Sequence, residues 1–199
     1  MEKKVIDHFQ TVDPILFSLI QIIQIETPVP RKPHKYFASL CNEIIGQQLS
    51  GRVADVLFER FKALFPNKRI RPHLATKFSE GTLRKTGMSW SKTSFIKDLA
   101  QKIVDNKIHV NDLKDKTDDE VTRELTKVKG IGPWTAEMFL MFTLGREDVF
   151  SYGDLGLRRA IQKLYKFRSE PTLKQMEKIV TKWKPYRSWA ARILWKSLE

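Results

Sequence analysis

The segment Leu125–Ala136, which reads LTKVKGIGPWTA, constrains the fold more than any other part of the chain. One helix ends before a Gly-x-Gly turn, and a second starts directly after it with Pro133 in its first turn. Glycine permits positive φ and a close approach of the backbone, which a side chain would prevent. The amides after Gly132 lie at a helix N-terminus, where N–H groups and the helix dipole favour a phosphate. The segment therefore predicts a two-helix hairpin that holds a phosphate backbone.

The charge distribution favours a polyanionic partner. The chain of 199 residues has a formal net charge of +13, and residues 155–199 alone carry twelve Lys and Arg against three Glu. A run of charge is most often a solvated face, but such an uneven distribution favours contact with phosphates. Aromatic residues are interleaved with these cations: Tyr165, Trp183, Tyr186, Trp189 and Trp195.

The composition argues against several classes of protein. Cys41 is the only cysteine and lies in an apolar stretch, so we expect a small core residue. The four histidines show no ligand spacing, which argues against a zinc site or an iron–sulfur cluster. The longest uncharged run, Pro14–Ile25, is too short to span a membrane, and no signal-peptide pattern follows Met1. We expect a soluble, intracellular protein.

Hydrophobic periodicity predicts an all-α fold. Thr117 and Glu120 form a capping box that opens one helix, and Gly145 is expected to cap the end of another. Residues 14–25 fit either a strand or a short helix, and residues 66–87 are expected to be loop with a short helix. The predicted helices after residue 35 are Tyr36–Ser50, Arg52–Phe65, Lys92–Asn106, 117–128, Trp134–Leu144, Leu155–Leu164, Leu173–Trp183 and Tyr186–Ser197.

Asp154 is the first candidate for chemistry, and it has two interpretations. It precedes a predicted helix at Leu155, so it could simply be an N-cap. It also follows the apolar and aromatic run Val149-Phe150-Ser151-Tyr152 and lies downstream of the hairpin. A carboxylate at the mouth of an apolar cleft is placed to meet developing positive charge. Capping and catalysis are compatible in one residue.

Two other groups of residues have both a structural and a functional interpretation. Trp134 and Trp195 are by default core residues, but aromatic faces also attract electron-poor or cationic rings such as a damaged base. The run Gly46-Gln47-Gln48-Leu49-Ser50-Gly51 could be only a helix end. It could equally be a loop whose side chain fills the hole left by a flipped nucleotide.

Taken together, these motifs resemble the helix-hairpin-helix DNA glycosylase superfamily, and within it the 3-methyladenine DNA glycosylase II, or alkylbase, branch. The resemblance rests on Gly46–Ser50, on Gly87-Met88-Ser89 with Lys92, on the hairpin and on Asp154. The run from Trp183 to Trp195 looks like the Trp-Lys-Pro-Trp-Arg-Ser signature of that branch. The resemblance covers roughly residues 36–196. It implies an all-helical, two-lobed fold with the active site in the cleft between lobes, and it makes 1–35 an N-terminal segment packed on a glycosylase domain at 36–199.

The resemblance also implies roles for individual residues. Asp154 would be the catalytic carboxylate, and the walls of the base pocket would be Trp134, Met138, Tyr152 and Trp195. The wedge inserted into duplex DNA would be Gln48 or a neighbour. In family members the hairpin holds a monovalent cation, Na⁺ or K⁺, which here would take the backbone carbonyls of Thr126, Val128 and Ile131. The implied DNA contacts are Gln48, Leu49, Ser50, Lys129, Gly130, Ile131, Gly132, Thr135, Arg187 and Ser188.

Departures from the family pattern bear on the substrate and the reaction. The best-known alkylbase enzymes carry an aromatic residue where Met138 stands, which implies a softer and differently shaped pocket. Bifunctional relatives carry a lysine at the position of Trp134, so this chain lacks that amine nucleophile and is expected to be monofunctional.

The expected protein is a monomer that excises alkylated purines from double-stranded DNA and requires no cofactor. The alternatives are a glycosylase for another damaged or mismatched base and a non-catalytic DNA clamp built on the same hairpin.

Overall fold

The computed structural model describes residues 1–199 and shows a chain built from helices. The predicted all-α fold class is confirmed. Short 3₁₀ helices lie at Pro33–Lys35, Pro66–Lys68, Val110–Asp115 and Thr181–Trp183. The α-helices are α1 (Lys3–Val12), α2 (Pro14–Ile20), α3 (Tyr36–Gly46), α4 (Gly51–Ala63), α5 (Pro72–Ala75), α6 (Glu80–Arg84), α7 (Trp90–Val104), α8 (Asp118–Leu125), α9 (Pro133–Phe142), α10 (Leu155–Leu164), α11 (Leu173–Val180) and α12 (Arg187–Lys196).

The helices form two compact units. The central unit comprises residues 30–144 and contains α3 to α9. The terminal unit combines residues 1–29 with residues 145–199, so it contains α1, α2 and α10 to α12. Because the two ends of the chain share one unit, the N-terminal helices pack with the C-terminal ones, α2 against α12 and α1 against the 3₁₀ helix Thr181–Trp183.

The first thirty residues contain helices that periodicity alone did not assign. Residues 14–25, predicted as either a strand or a short helix, contain helix α2 with Pro14 at its first position. Asp13 caps this helix, since its side chain accepts the amide of Leu16 at 3.0 Å. Helix α1 precedes it and buries Val5 and Phe9 completely.

Several predicted helix ends are displaced by a few residues. The helix predicted to reach Ser50 ends at Gly46, because Gln47 and Gln48 leave helical geometry, and Gln48 has a φ of 58°. Gly145 does have a positive φ of 68°, but α9 already ends at Phe142 with Thr143 as its cap. The capping box is as predicted: Thr117 and Glu120 each accept the other's amide at the start of α8.

Each unit has its own core. In the central unit the rings of Phe61, Phe65 and Phe78 meet edge to face, and Cys41 is completely buried as expected. In the terminal unit the buried carboxylate of Asp13 accepts hydrogen bonds from the Tyr165 hydroxyl and the Trp183 indole. No helix combines the length and apolar character needed to cross a membrane.

Candidate functional site

The hairpin between α8 and α9 depends on one glycine. Gly130 has a φ of +79°, in the left-handed region that favours glycine. A Cβ on Gly130 would lie 2.0 Å from Cδ2 of Phe95, so the phenyl ring occupies the space that a side chain would need. Gly132 differs, because its φ is −96° and a Cβ there would meet no atom within 4 Å. The expectation of special backbone geometry therefore applies to Gly130 alone.

Gly132 instead serves as the N-cap of α9, and Pro133 follows in the first turn. The helix thus opens directly at the turn, with its N-terminal amides beside an exposed Gly130 and a partly exposed Gly132. Ile131 between them is 4% exposed and its amide donates to the carbonyl of Val128 at 3.1 Å. The side chain of Ile131 therefore anchors the hairpin, and only its backbone lies where a phosphate could reach.

The carboxylate of Asp98 on α7 supports the hairpin through hydrogen bonds. Oδ2 of Asp98 accepts the Lys129 amide at 2.9 Å and the Lys102 ammonium at 2.7 Å. Lys102 also donates to the carbonyl of Lys127 at 2.6 Å. Burial alone would raise the pKa of Asp98, but the hydrogen bonds from Lys102 and Lys129 lower it, so the carboxylate is held ionised. No sequence pattern predicts this support.

The hairpin also offers the carbonyls implied as cation ligands. Thr126, Val128 and Ile131 lie within one short turn, and the Val128 carbonyl already accepts the Ile131 amide. Neutral carbonyl oxygens are the donors that alkali cations take in proteins, and a carbonyl has two lone pairs. The donor chemistry of this turn therefore fits Na⁺ or K⁺.

The loop Gln47–Ser50, here called the wedge loop, joins α3 to α4. Gln48 is exposed and adopts a left-handed conformation, with a φ of 58°. Leu49 is 38% exposed, although it is apolar. Ser50 is the N-cap of α4 by position, but its side chain makes no capping hydrogen bond. The loop therefore presents its predicted DNA-contacting residues outward.

Gln47 ties the wedge loop to the hairpin. Its Nε2 donates to the carbonyl of Gly130 at 2.8 Å and to Oγ1 of Thr135 at 3.1 Å. From the other side, Nζ of Lys92 donates to the carbonyls of Ile45 and Gln47 at 2.9 and 2.6 Å. The wedge loop is therefore hydrogen-bonded both to the hairpin and to α7. Gln47 and Lys92 both belong to the sequence motifs described above, but no sequence pattern predicts these contacts.

The same contacts limit what Thr135 can do. Its side chain is 3% exposed and its hydroxyl accepts from Gln47, so its predicted DNA contact is reduced to the backbone amide.

On the same helix, Trp134 is 39% exposed while Met138 is 4% exposed. The two lie four residues apart on α9, so they share one helix face.

In the terminal unit, Asp154 is the N-cap of α10, so the structural interpretation of this residue is correct. Its Oδ1 accepts the amide of Leu157 at 2.8 Å. The same oxygen also accepts the indole N–H of Trp195 at 2.9 Å. An N-cap needs only the first of these bonds, and the second orients a partly buried carboxylate. The geometry is therefore compatible with both capping and catalysis.

Gly156 makes room for this arrangement. A Cβ at Gly156 would lie 3.1 Å from Oδ1 of Asp154 and 3.2 Å from Cδ1 of Trp195. The indole therefore rests on the first turn of α10 where that turn has no side chain. The sequence contains one signal of this close contact. Gly156 lies two residues after Asp154 and inside a predicted helix, where glycine is otherwise unfavourable.

Tyr152 lies two residues before Asp154 and is partly exposed. Its ring meets Phe150 at 5.1 Å between centroids, and burial raises the pKa of its hydroxyl. It borders a cavity of about 320 Å³ with Gly153, Arg158, Leu173 and Met176. The hydroxyl is therefore protonated at neutral pH.

Arg187 and Ser188 have internal partners. Arg187 pairs with Asp148 through Nε and Oδ1 at 2.7 Å and through Nη2 and Oδ2 at 3.1 Å. The hydroxyl of Ser188 is buried, where it accepts the Val149 amide at 2.9 Å and lies 3.2 Å from the Val149 carbonyl. Both side chains thus brace the segment that leads to Asp154. The backbone amides are also used, since Arg187 N–H donates to Oδ1 of Asp148 at 3.4 Å and Ser188 N–H donates to the Glu147 carbonyl at 2.9 Å. Of the predicted DNA contacts, only the remaining face of the Arg187 guanidinium is left.

Comparison with known proteins places this chain in a family. Residues 41–185 match the family model of HhH-GPD superfamily base excision DNA repair proteins. The chain is 29% identical over 202 residues to the putative DNA-3-methyladenine glycosylase YfjP of Bacillus subtilis, covering 98% of this chain and 69% of YfjP. It is 30% identical over 163 residues to DNA-3-methyladenine glycosylase 1 of Schizosaccharomyces pombe, covering 81% of this chain and 72% of the relative.

A solved structure agrees with these matches. The Schizosaccharomyces pombe 3-methyladenine DNA glycosylase Mag1, solved in complex with abasic DNA, has a TM-score of 0.84 and 26% sequence identity to this chain. The likeness covers 98% of this chain and 96% of that one. The family match spans the wedge loop, the hairpin and Asp154, which are the features built up above from the residues. The chain therefore belongs to the HhH-GPD superfamily of base excision DNA repair proteins.

Proposed function

We propose that this protein is a monofunctional DNA glycosylase that hydrolyses the N-glycosidic bond of alkylated purines in duplex DNA. One observation carries the proposal: the carboxylate of Asp154 is held by two N–H donors on one oxygen, 2.8 Å from the Leu157 amide and 2.9 Å from the Trp195 indole. A non-catalytic protein that only binds DNA does not require a carboxylate oriented in this way. The names of the relatives, DNA-3-methyladenine glycosylases, support the class of substrate.

The reaction does not require a strong general acid. A purine alkylated at N3 or N7 carries positive charge and leaves as a neutral base when the bond to C1′ breaks. The sugar then develops oxocarbenium character, which a nearby carboxylate stabilises. Asp154 would fill that role and would orient the water that adds its oxygen to C1′ and loses a proton. The hydrogen bonds from Leu157 and Trp195 set the direction in which the carboxylate faces.

Binding would combine non-specific and specific contacts. The amides around Gly130 and Gly132 and the ammonium of Lys129 would hold phosphates, which positions the duplex without reading sequence. Gln48 in the wedge loop would fill the gap left by the flipped nucleotide. We propose that Tyr152 and Trp195, which lie beside Asp154 in the terminal unit, present aromatic faces that favour a cationic purine.

The absence of a lyase step is also part of the proposal. Strand cleavage by bifunctional relatives requires an amine that attacks the sugar, and Trp134 stands at the position of that lysine. We further propose that the protein acts as a monomer without a catalytic cofactor. We propose that a structural Na⁺ or K⁺ would be bound by neutral backbone carbonyls of the hairpin. Its role would be to make the turn that contacts the phosphate more rigid.

The test is the substitution Asp154→Asn. The amide oxygen of asparagine still accepts from Leu157 and Trp195, so the variant keeps its N-cap and is expected to fold and to bind DNA. Without the negative charge, it should release base at least roughly a hundredfold more slowly. The measurement is chromatography of the bases released from methylated DNA, with thermal unfolding and DNA affinity as controls.

Three outcomes separate this proposal from its rivals. Release of 3-methyladenine or 7-methylguanine at the wild-type rate by the Asp154→Asn variant would refute the assignment of the carboxylate. Failure of the wild-type protein to release either base would favour another lesion or a bare clamp. Cleavage of abasic DNA without added alkali, or borohydride trapping of a covalent adduct, would overturn the monofunctional assignment.

A further inference from the structure

A basic cavity lies in the central unit, and no residue proposed for the active site lines it. It has a volume of about 520 Å³ and lies beside the first two turns of α3, the end of α4 and the turn after α4. Six cationic side chains line it: Arg31, Lys35, Lys62, Lys68, Arg69 and Arg71. None of them belongs to the hairpin, the wedge loop or the terminal unit. The cavity has no role in the function proposed above.

The positive charge of this cavity is largely uncompensated. Lys62 pairs with Glu59 at 2.9 Å, and the other five cations form no salt bridge. No carboxylate is among the residues that line the cavity. Like charges held around one concave space repel each other, and a bound anion would remove that repulsion. The charge distribution therefore favours a ligand with several negative charges.

The turn after α4 is held in an unfavourable backbone conformation at this place. Asn67 and Lys68 have φ values of 51° and 54°, both in the left-handed region. Asparagine adopts this region readily, but a lysine there costs on the order of 1 kcal/mol. The result is that Lys68 and Arg69 both line the cavity. Backbone strain of this kind is frequent where a segment clamps a ligand.

The remaining wall is suited to a flat ring. Phe58 and Ile70 supply apolar surface, and Asn42 and Ser39 supply hydrogen-bonding groups beside it. Phe58 is only partly buried, so its ring is available to a ligand. An aromatic face stacks on a base, and an asparagine amide both donates and accepts hydrogen bonds. A site that joins such a wall to a cluster of cations matches a base attached to phosphates.

We propose that this cavity binds a nucleoside polyphosphate. The phosphates would lie among Arg69, Arg71 and the neighbouring cations, and the base would lie against Phe58. The volume is in the range of small-molecule sites, whereas a duplex engages an open surface through a row of separate phosphates. The cavity begins at the N-terminal end of α3 and the wedge loop follows its C-terminal end. Asn42, the lining residue farthest along α3, lies five residues before Gln47, so the cavity and the wedge loop are roughly 7 Å apart along the helix axis.

The test measures binding of ATP, AMP, tripolyphosphate and a short DNA duplex to the full-length chain by titration calorimetry at low salt. We expect ATP to bind and AMP to bind at least about tenfold more weakly, because it has lost two charged groups. The double substitution Arg69→Gln and Arg71→Gln should weaken both ATP and tripolyphosphate at least about tenfold. Phe58→Leu should weaken ATP several-fold while leaving tripolyphosphate unchanged, because it removes only the stacking face.

A variant with matched charge serves as the control. Lys77→Gln with Lys85→Gln removes the same charge from exposed positions of the central unit outside the cavity, and it should change ATP binding by less than about twofold. Failure of ATP to bind, or equal binding to the Arg69/Arg71 variant, would overturn the proposal. Loss of duplex binding in that variant with no binding of ATP would also overturn it, because the cavity would then be part of the DNA surface. Base release by the Arg69/Arg71 variant should equal the wild-type rate, so this test fails or succeeds independently of the proposed glycosylase function.

Discussion

At the scale of single residues, the indole of Trp195 and the carboxylate of Asp154 act as one group. The tryptophan donates to Oδ1 at 2.9 Å, and Gly156 leaves the space that the indole fills. A tryptophan in this position does more than provide an aromatic wall, because its N–H sets the direction of the carboxylate. We regard Trp195 as a positioning residue for the proposed reaction.

Trp195→Phe tests this role. Phenylalanine keeps an aromatic face but has no N–H, so the substitution removes the hydrogen bond to Asp154. Loss of one such bond to a charged group is worth roughly 1.5 kcal/mol, and we expect about a tenfold decrease in kcat with KM nearly unchanged. The measurement is single-turnover and steady-state release of base from methylated DNA.

The matched control lies on the same helix. Trp189→Phe removes the indole N–H that donates to Glu147 at 3.1 Å, a bond that does not involve Asp154. It should leave kcat of the folded enzyme unchanged. Equal losses of kcat in both variants would mean that Trp195 acts only through the stability of α12.

Glu43 on α3 makes stability depend on pH. Burial raises the pKa of its carboxyl from 4.5 to about 7. The unfolded chain therefore ionises Glu43 from pH 4.5 upwards while the folded chain keeps it neutral, so stability falls between pH 4.5 and 7 and stays lower above pH 7. A shift of this size corresponds to at most roughly 3 kcal/mol.

Glu43→Gln removes this dependence. The variant should unfold at the same urea concentration as the wild type near pH 4 and at a higher one at pH 8. Glu59→Gln provides the opposite case, since the hydrogen bond from Lys62 lowers the pKa of Glu59 and the substitution should not stabilise the protein at pH 8. A wild-type stability curve that is flat between pH 4.5 and 7 would contradict the prediction for Glu43.

At the scale of elements, the hairpin and the wedge loop form one assembly supported by α7. Gln47 links the loop to the Gly130 carbonyl, Lys92 holds the loop from α7, and Asp98 holds the hairpin from the same helix. The two elements proposed to contact DNA therefore share one support. Phe95, also on α7, occupies the space beside Gly130.

Gly130→Ala tests how closely α7 and the hairpin fit. The new Cβ would overlap the ring of Phe95 and would require a left-handed alanine, so we expect a loss of at least roughly 2 kcal/mol in the free energy of unfolding. Gly132→Ala is the control, because its Cβ meets nothing within 4 Å and its φ is negative. Gly132→Ala should lower the free energy of unfolding much less, as measured by urea denaturation.

A double-mutant cycle assigns the cause. Adding Phe95→Ala to Gly130→Ala removes the overlap, so the double variant should be more stable than the sum of the two single losses predicts. Strict additivity would show that the ring is not what excludes a side chain at position 130.

At the scale of the whole molecule, the net charge of +13 governs association with DNA. Each phosphate that a lysine neutralises releases counterions, so the logarithm of the association constant falls linearly with the logarithm of the salt concentration. The exposed side chain of Lys129, on the hairpin, is proposed to make one such contact.

Lys129→Gln should therefore lower the slope of log Kd against log salt by about 0.9. Lys77→Gln removes the same charge elsewhere on the central unit and should leave the slope unchanged. Fluorescence anisotropy of a labelled duplex over a series of salt concentrations provides the measurement. Equal changes of slope in both variants would remove Lys129 from the phosphate contacts.

Helices that have a clear cap and a regular apolar spacing in the sequence could be predicted most accurately. Helix α10 has the predicted bounds, Leu155–Leu164, and α8 begins at the predicted capping box, because both have a polar cap followed by apolar residues at helical spacing. Helix α1 was not predicted, and α2 was left open between a strand and a short helix. Their helical state is stabilised by burial of Val5, Phe9 and Leu16 within the terminal unit, which local propensity does not reveal.

The amino-acid sequence by itself determined the helical fold class, the basic character, the family and the candidate carboxylate, since each depends on residue types at short spacing. Only the tertiary structure decided which partners those residues have. The bond from Trp195 to Asp154 spans 41 residues, and the bond from Gln47 to Gly130 spans 83. Neither contact leaves a periodic trace in the sequence, because each depends on how separate helices pack. For the same reason no pattern predicts the basic cavity beside α3: its cations come from three separate stretches of the chain and converge only in the folded central unit.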